Sequence, residues 1–247
     1  MSVLEPSPVR AHGEFRTLWL VLVATAFGFL FFRLGSEVLD GETQAFDEYV
    51  LRALRRADDP DRLIGPAWGE RVALDLTTLG GPPVIVLGVV LTLGYLFAAR
   101  RRVAAFTVLA SSIGAFALEA TLKGLYDRAR PVVVPPLAHA SSASFPSGHA
   151  TLAAGVYLTV AALLARESSS PRARRYVMFA GVTVTLLVGL TRVVLGVHYP
   201  SDVLAGWALG SAWALLCASA ARRWGRSKPS SGIEAERGDG SDASTGG

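Results

Sequence analysis

Long apolar runs alternate with shorter polar segments along most of the chain. A helix that crosses the hydrocarbon core of a bilayer needs about 20 mostly apolar residues. Six stretches meet or approach this length, at residues 17–34, 79–98, 103–122, 150–165, 176–195 and 202–221. The pattern therefore predicts an all-α fold, a polytopic bundle of six transmembrane helices.

The composition is typical of a membrane protein. Of the 247 residues, 51% are hydrophobic and 18% are charged, whereas soluble domains carry about 25% charged residues. These proportions exclude a disordered chain, a fibre and a nucleic-acid-binding protein. The single cysteine, Cys217, lies within an apolar run, so neither a disulfide framework nor a thiolate metal site is available.

Basic residues predict how the helices are oriented in the cell membrane, because cytoplasmic loops carry an excess of Lys and Arg. Four segments are basic: the one before the first stretch, the second-to-third and fourth-to-fifth loops, and the one after the sixth stretch. With six spans these segments share one side, which we expect to be the cytoplasm, together with both termini. The acidic segment 35–78 then lies on the extracytoplasmic side.

This layout divides the chain into a cytoplasmic N-terminal tail, a membrane domain and a disordered cytoplasmic C-terminal tail, at residues 1–16, 17–224 and 225–247. Within the extracytoplasmic segment, apolar residues recur at helical spacing among charges, at Phe46, Val50, Leu51 and Leu54. They predict an amphipathic helix at the outer interface, which either caps the bundle or gates lipid access.

Three polar clusters lie at predicted helix ends on the extracytoplasmic side. They are KGLYDRARP at 123–131, PSGH at 146–149 and TRVVLGVHYPSD at 191–202. All three reach the same membrane face under the predicted topology, although no functional argument entered the placement. We therefore expect a single site at the extracytoplasmic face.

The residue types in these clusters suit a phosphate ligand. Lys123, Arg130 and Arg192 bring positive charge, and arginine can bind phosphate oxygens through two parallel hydrogen bonds. Ser147 and Gly148 lie at a predicted helix start, where unpaired backbone N–H groups attract anions. His149, His198 and Asp202 complete the set. One imidazole can attack phosphorus while the other protonates the leaving oxygen.

Each of these features also has a structural interpretation. Lys and Arg at helix ends often extend to the membrane interface. Glu119 lies one turn before the lysine of the first cluster and could simply pair with it. Tyr126 and Tyr199 are typical of the aromatic belt, and Asp127 and Arg128 fit solvated loop charges.

Taken together, the three clusters resemble the signature of the type 2 phosphatidic acid phosphatase family. Relatives in that superfamily include lipid phosphate phosphatases and vanadium haloperoxidases. The signature consists of K-x6-RP, PSGH and SR-x5-H-x3-D, and the blocks here begin at Lys123, Pro146 and Thr191 in the family's order and spacing. The one departure is Thr191, which replaces the usual serine and retains its hydroxyl.

The resemblance implies a role for each matching residue. His198 would be the nucleophile that forms a phosphohistidine, Asp202 would orient its ring, and His149 would protonate the departing oxygen. The phosphate would be held by Lys123, Arg130, Ser147, Gly148 and Arg192. A carboxylate that accepts a hydrogen bond from the other nitrogen is useful to a nucleophilic imidazole, and only His198 has an acid nearby in sequence. Family members need no metal, so we expect no metal site and no cofactor.

The leading hypothesis is an integral-membrane phosphatase that hydrolyses the phosphomonoester or pyrophosphate of a lipid. Polyprenyl pyrophosphate, phosphatidylglycerophosphate and phosphatidic acid are the candidate substrates. The expected partners are that lipid and the bilayer, and the sequence leaves the oligomeric state open. A lipid transporter or inactive lipid-binding scaffold is the alternative, although the intact histidines and aspartate disfavour a scaffold. A vanadate-dependent haloperoxidase is disfavoured because those relatives are soluble.

Overall fold

The computed structural model of the protein describes residues 8–226, and this part of the chain is largely helical. It contains eight α-helices: α1 (Pro8–Leu39), α2 (Gln44–Ala53), α3 (Trp68–Thr77), α4 (Pro82–Ala98), α5 (Arg102–Tyr126), α6 (Gly148–Glu167), α7 (Pro171–Val194) and α8 (Pro200–Arg226). A short 3-10 helix, Thr78–Gly80, joins α3 to α4, and no β-strand forms within the described range. The predicted all-α class is confirmed.

Five helices of the described range are long and apolar enough to cross a membrane: α1, α5, α6, α7 and α8. Helix α4 has only 17 residues. Together with α3 it passes the same test, but the two helices are bent by 45° where they join. Within residues 8–226 the protein is therefore a multi-pass membrane bundle of five spans, or six if the bent pair counts as one. The predicted stretch 79–98 covers α4 and the residues of the bend that precede it.

The bend between α3 and α4 follows from the sequence Gly80-Gly81-Pro82-Pro83. Gly81 has extended backbone angles, with φ −72° and ψ 145°, as expected for a residue that precedes proline. The two prolines then occupy the first turn of α4, where a missing N–H group leaves no helical hydrogen bond unmade. The hydropathy pattern does not predict α3, because charged residues interrupt its apolar positions.

Helix α2 covers the segment whose apolar residues recur at helical spacing. Its Leu51 is completely buried, whereas Phe46 is 58% exposed. Its Asp47 accepts a hydrogen bond from the backbone N–H of Ser201 at the start of α8, at 3.0 Å. Helix α2 therefore packs onto the end of the bundle, which favours the capping alternative.

The described residues include only part of each predicted tail. Helix α1 begins at Pro8, within the predicted N-terminal tail 1–16, and residues 1–7 lie outside the described range. Helix α8 continues to Arg226, so it reaches into the predicted tail 225–247. The remainder of that tail, for which we predict disorder, lies outside the described residues.

Small residues let α6 and α8 pack closely, which brings the starts of the two helices together. A Cβ atom at Gly206 would lie 2.7 Å from the carbonyl oxygen of Ser147, and Gly210 meets the α6 backbone in the same way. Such contacts are a common way for membrane helices to associate. The Trp207 indole of α8 also donates to the carbonyl oxygen of Thr185 in α7, at 3.0 Å.

Candidate active site

Four helix ends meet at one end of the bundle, which we call the site end: the ends of α5 and α7 and the starts of α6 and α8. The structure places all eight predicted site residues there or in the adjoining loops: Lys123, Arg130, Ser147, Gly148, His149, Arg192, His198 and Asp202. Nη1 of Arg130 lies 3.3 Å from Nε2 of His198, and the backbone N–H of Ser147 donates to the carbonyl oxygen of Asp202 at 3.0 Å. The three sequence clusters therefore converge on one site.

A tight turn between α7 and α8 presents His198. Gly196 in this turn has a φ of +71°, a left-handed conformation that glycine adopts without strain. The backbone N–H groups of Val197 and His198 both donate to the carbonyl oxygen of Arg192, at 3.2 and 3.3 Å. The turn directs the imidazole into the protein, where His198 is only 2% exposed.

The two ring nitrogens of His198 face opposite kinds of group. Nδ1 lies 3.5 Å from Oδ2 of Asp202, and Nε2 lies 3.3 Å from Nη1 of Arg130. Because a guanidinium nitrogen can only donate, Nε2 must offer its lone pair. The ring proton therefore belongs on Nδ1, where the carboxylate accepts it. This tautomer directs a nucleophilic lone pair toward the basic residues of the site.

The carboxylate of Asp202 is held by several donors and is completely buried. Its Oδ2 accepts hydrogen bonds from the Ser144 hydroxyl at 2.5 Å and from the Tyr199 backbone N–H at 2.9 Å. Its Oδ1 accepts from Nη1 of Arg128 at 2.5 Å. Donors on both oxygens fix the rotation of the carboxylate, so the oxygen beside His198 cannot turn away freely.

Burial determines the protonation state of His198. Removal from water lowers the pKa of its imidazole from 6.5 to about 4, although the carboxylate of Asp202 opposes the change. Repulsion of a protonated ring by Arg130 and Arg192 also contributes to this lowered pKa. His198 is therefore neutral at physiological pH, as a nucleophilic imidazole has to be.

Two buried polar atoms at the site, the Ser147 hydroxyl oxygen and Nε of Arg192, find no hydrogen-bond partner in the described part of the chain. An unpaired buried group costs about 1–3 kcal/mol, so both atoms favour a polar ligand. Nη1 of Arg192 is anchored by a 2.8 Å hydrogen bond to the Thr77 hydroxyl. Ser147 directly precedes α6, where unpaired backbone N–H groups also attract an anion.

Lys123 and Arg130 are fixed by the loop between α5 and α6. Nζ of Lys123 lies 2.7 Å from Oε1 of Glu119 and donates to the Ser142 hydroxyl at 2.9 Å. The pairing with Glu119 that the sequence suggested is therefore present. Nε of Arg130 donates to the carbonyl oxygen of Ser142 at 2.7 Å, and Nη1 donates to that of Val197 at 2.6 Å. These bonds hold both cations at the site.

The second imidazole, His149, lies in the first turn of α6 and packs against the bend between α3 and α4. A Cβ atom at Gly80 would overlap the side chain of Val188 in α7 and come within 3.2 Å of the His149 ring, so the absence of a side chain there lets the bend pack closely against both residues. Thr77 and Gly80 both belong to the bent segment. The bend therefore forms one wall of the site, which the sequence motifs do not indicate.

Arg128, which the sequence leaves ambiguous, is not a solvated loop charge. Its side chain is 11% exposed and lies 2.9 Å from Oδ2 of Asp47 and 2.5 Å from Oδ1 of Asp202. Its guanidinium carbon is 4.2 Å from the centre of the Tyr199 ring. Tyr199 is itself buried, so its assignment to the aromatic belt is wrong. Sequence reasoning missed Asp47 because one carboxylate in an acidic segment carries no signal of burial.

The charged groups at the site suit an anion. No group of three His, Cys, Asp or Glu side chains arranged to hold a metal ion occurs among residues 8–226. The site instead contains a neutral imidazole with an oriented lone pair, a second imidazole and three cations. The unpaired hydroxyl of Ser147 and Nε of Arg192 lie among them. This arrangement can support nucleophilic attack on an anionic group, followed by protonation of the group that leaves.

Comparisons with known proteins find relatives that are lipid phosphatases. The PAP2 superfamily profile matches residues 103–226. Phosphatidylglycerophosphatase B of Bacillus subtilis is 34% identical over 185 residues, which cover 74% of this chain and 87% of that protein. Lipid A 1-phosphatase of Rhizobium etli is 40% identical over 87 residues, 35% of this chain and 33% of that protein. The crystal structure of a transmembrane PAP2-type phosphatidylglycerolphosphate phosphatase from Bacillus subtilis has a TM-score of 0.75 and 28% identity, and the match covers 83% of this chain and 98% of that one.

Proposed function

The chain belongs to the PAP2 superfamily and is a membrane lipid phosphatase, and we propose that it cleaves its substrate through a phosphohistidine formed on His198. The observation that carries this proposal is the environment of the imidazole. A lone pair on Nε2 faces the cationic residues, while the carboxylate of Asp202 stands behind Nδ1. This is the polarity that a nucleophile attacking phosphorus requires.

In the first step, Nε2 of His198 attacks phosphorus, and the bond between phosphorus and the lipid oxygen breaks. The imidazole becomes positively charged, and the Nδ1–H bond to Asp202 stabilises it. His149 donates a proton to the departing lipid oxygen. In the second step, His149 takes a proton from water, the resulting hydroxide attacks phosphorus, and the bond to Nε2 breaks to release inorganic phosphate.

The phosphate would be held by Lys123, Arg130 and Arg192, with the Ser147 hydroxyl and the N-terminus of α6 starting at Gly148. The two unpaired buried atoms support this assignment, because a phosphate oxygen would supply the acceptor that Nε of Arg192 lacks. Preorganised donors of this kind stabilise the charge that develops in the transition state. Because three cations provide that stabilisation, we propose that hydrolysis proceeds without a metal ion.

We place the site on the extracytoplasmic side and both termini in the cytoplasm. The basic loop at Arg100, Arg101 and Arg102 supports this orientation, because it lies at the opposite end of the bundle from the site. Phosphatidylglycerophosphate is the first substrate to test, because the Bacillus subtilis relative of 34% identity is a phosphatidylglycerophosphatase. Polyprenyl pyrophosphate and phosphatidic acid are the other candidates.

Phosphate release by detergent-purified protein tests the proposal. The substrates are phosphatidylglycerophosphate, undecaprenyl pyrophosphate, phosphatidic acid and a soluble phosphomonoester, each with and without EDTA. We expect release from at least one lipid, unchanged by EDTA, and an acid-labile phosphoprotein when the reaction is quenched with base. Near-normal turnover by His198→Ala would contradict the nucleophile assignment, and loss of activity in EDTA that magnesium restores would contradict metal independence.

A further inference from the structure

A chain of buried charges continues from the site toward α2, beyond the residues of the three sequence clusters. We propose that Arg128, held by Asp47 of α2, is a positioning residue that fixes the carboxylate of Asp202 and through it the ring of His198. The inference rests on the proposed nucleophilic role of His198. It gives α2, a helix outside the sequence clusters, a part in catalysis.

Arg128 contacts the oxygen of Asp202 that does not face the imidazole. Nη1 of Arg128 lies 2.5 Å from Oδ1, whereas Nδ1 of His198 lies 3.5 Å from Oδ2. A carboxylate that rotated about its Cβ–Cγ bond would have to give up the contact with Arg128. The guanidinium therefore keeps Oδ2 available to the ring and keeps the carboxylate ionised.

The guanidinium is itself held in one orientation by groups on three elements. Nη2 lies 2.9 Å from Oδ2 of Asp47, and Nη1 donates to the Ser201 hydroxyl at 2.8 Å. The guanidinium carbon also lies over the Tyr199 ring, 4.2 Å from its centre. Arginine can bridge two carboxylates because its donors form a rigid fork, so the orientation of Arg128 transmits the position of α2 to Asp202.

Asp47 is fully buried and joins α2 to the first turn of α8. Its Oδ1 accepts from the backbone N–H of Ser201 at 3.0 Å, and its Oδ2 accepts from the Ser201 hydroxyl at 2.5 Å. The backbone N–H of Ser201 is one of the unpaired donors at a helix start. Asp47 therefore sets the position of the turn that carries Asp202 as well as the orientation of Arg128.

Stability alone does not account for this buried set of charges. Replacing a buried ion pair by apolar residues of similar volume is often neutral or stabilising. The positive charge of Arg128 is nevertheless secure: burial lowers its pKa, but the carboxylates of Asp202 and Asp47 outweigh that effect and raise it. The alternating charges of Asp202, Arg128 and Asp47 are explained if their function is to orient the carboxylate of Asp202 beside His198 and to keep it ionised.

The test uses full-length Arg128→Gln, Arg128→Lys and Asp47→Asn, assayed on phosphatidylglycerophosphate and phosphatidic acid in mixed micelles. Arg128→Gln should lower kcat by about 10- to 100-fold with little change in KM, because the arginine contacts protein groups and not the phosphate. Arg128→Lys keeps the charge but not the fork, so it should recover part of the lost kcat. The kcat of Asp47→Asn should lie between that of Arg128→Gln and that of the wild type.

A pH profile separates positioning from a merely structural role. Asp202 is faced by Arg128 and Arg130 from the α5–α6 loop, by His198 from its own turn and, through Arg128, by Asp47 from α2. Without the positive charge of Arg128, Asp202 takes up a proton more readily. The acid limb of the kcat profile should therefore move to higher pH in Arg128→Gln, but not in Arg128→Lys.

The matched control is Arg52→Gln, which removes another arginine paired with a carboxylate, on the exposed face of α2. It should leave kcat and the pH profile unchanged. A kcat of folded Arg128→Gln within twofold of the wild type would overturn the inference. If Arg128→Gln does not fold, the inference would be overturned by a kcat of folded Asp47→Asn within twofold of the wild type. Full activity of His198→Ala, measured in parallel, would overturn the proposed function itself.

Discussion

The two ends of the bundle are both rich in charged residues, but the charges lie in different environments. At the site end, Arg192 is 4% exposed and Asp202 is completely buried. At the opposite end, Arg101 pairs with Glu167, and their side chains are 44% and 54% exposed. Buried charges are costly unless they are paired, whereas exposed pairs contribute little to stability. Burial therefore separates the charges for which we propose a chemical role from the charges for which we propose only an effect on orientation in the membrane.

The largest expected difference between the two ends is in activity, and it is tested by removing one charged or titratable group from each end. His198→Ala should lower phosphate release by at least about 10³-fold, because a missing nucleophile leaves only binding and electrostatic stabilisation. Arg101→Gln should stay within twofold of the wild type, because its pair is exposed. The measurements are kcat and the thermal unfolding midpoint of each purified variant. Comparable losses of kcat in both would remove the functional distinction between the two ends.

The second prediction concerns the unpaired guanidinium nitrogen at the site end. Arg192→Gln should lower kcat/KM by about 10²- to 10³-fold, because it removes a preorganised donor to the developing charge. Arg192→Lys should recover little, since a single ammonium group cannot form a two-point contact with phosphate. Arg172→Gln, in the first turn of the same helix at the opposite end, is the matched control. Full activity of Arg192→Gln would show that its unpaired nitrogen does not serve a ligand.

The third prediction uses the pKa of His198. Burial lowers this pKa to about 4, so the imidazole remains neutral as the pH falls through 6 and 5 and becomes protonated only below that range. The acid limb of kcat/KM should therefore lie below pH 5. An exposed histidine at pH 5.5 would be about 90% protonated. The rate at that pH should therefore be about tenfold higher with a buried, neutral imidazole than with an exposed one. A half-maximal rate near pH 6.5 would contradict the buried, neutral nucleophile.

Hydropathy and motif spacing predict much of this molecule, but they fail where charged residues are buried by protein. Apolar runs identify helices that face lipid, and the His198–Asp202 spacing places both groups at one helix start. They do not identify α3, whose Glu70 and Arg71 mask its apolar face. They also do not place Arg128, whose partners Asp47 and Asp202 lie 81 and 74 residues away. Burial by such distant contacts leaves no local signal.

The smallest expected effect tests whether the wall formed by the bend contributes to the site end. Thr77 is 8% exposed, and its hydroxyl anchors Nη1 of Arg192 at 2.8 Å. Thr77→Val keeps the shape of the side chain but removes this hydrogen bond, which is worth about 1.5–3 kcal/mol when the donor is charged. Part of that loss will be recovered by movement of the guanidinium, so kcat/KM should fall by about three- to tenfold.

Thr77→Ser is the matched control for this last prediction, because it retains the hydroxyl and loses only a methyl group. It should keep nearly the full kcat/KM, and both variants should unfold within a few degrees of the wild type. If Thr77→Ser is as impaired as Thr77→Val, packing of the methyl group and not the bond to Arg192 explains the loss. If neither is impaired, the bend only encloses the site, and the orientation of Arg192 depends on α7 alone.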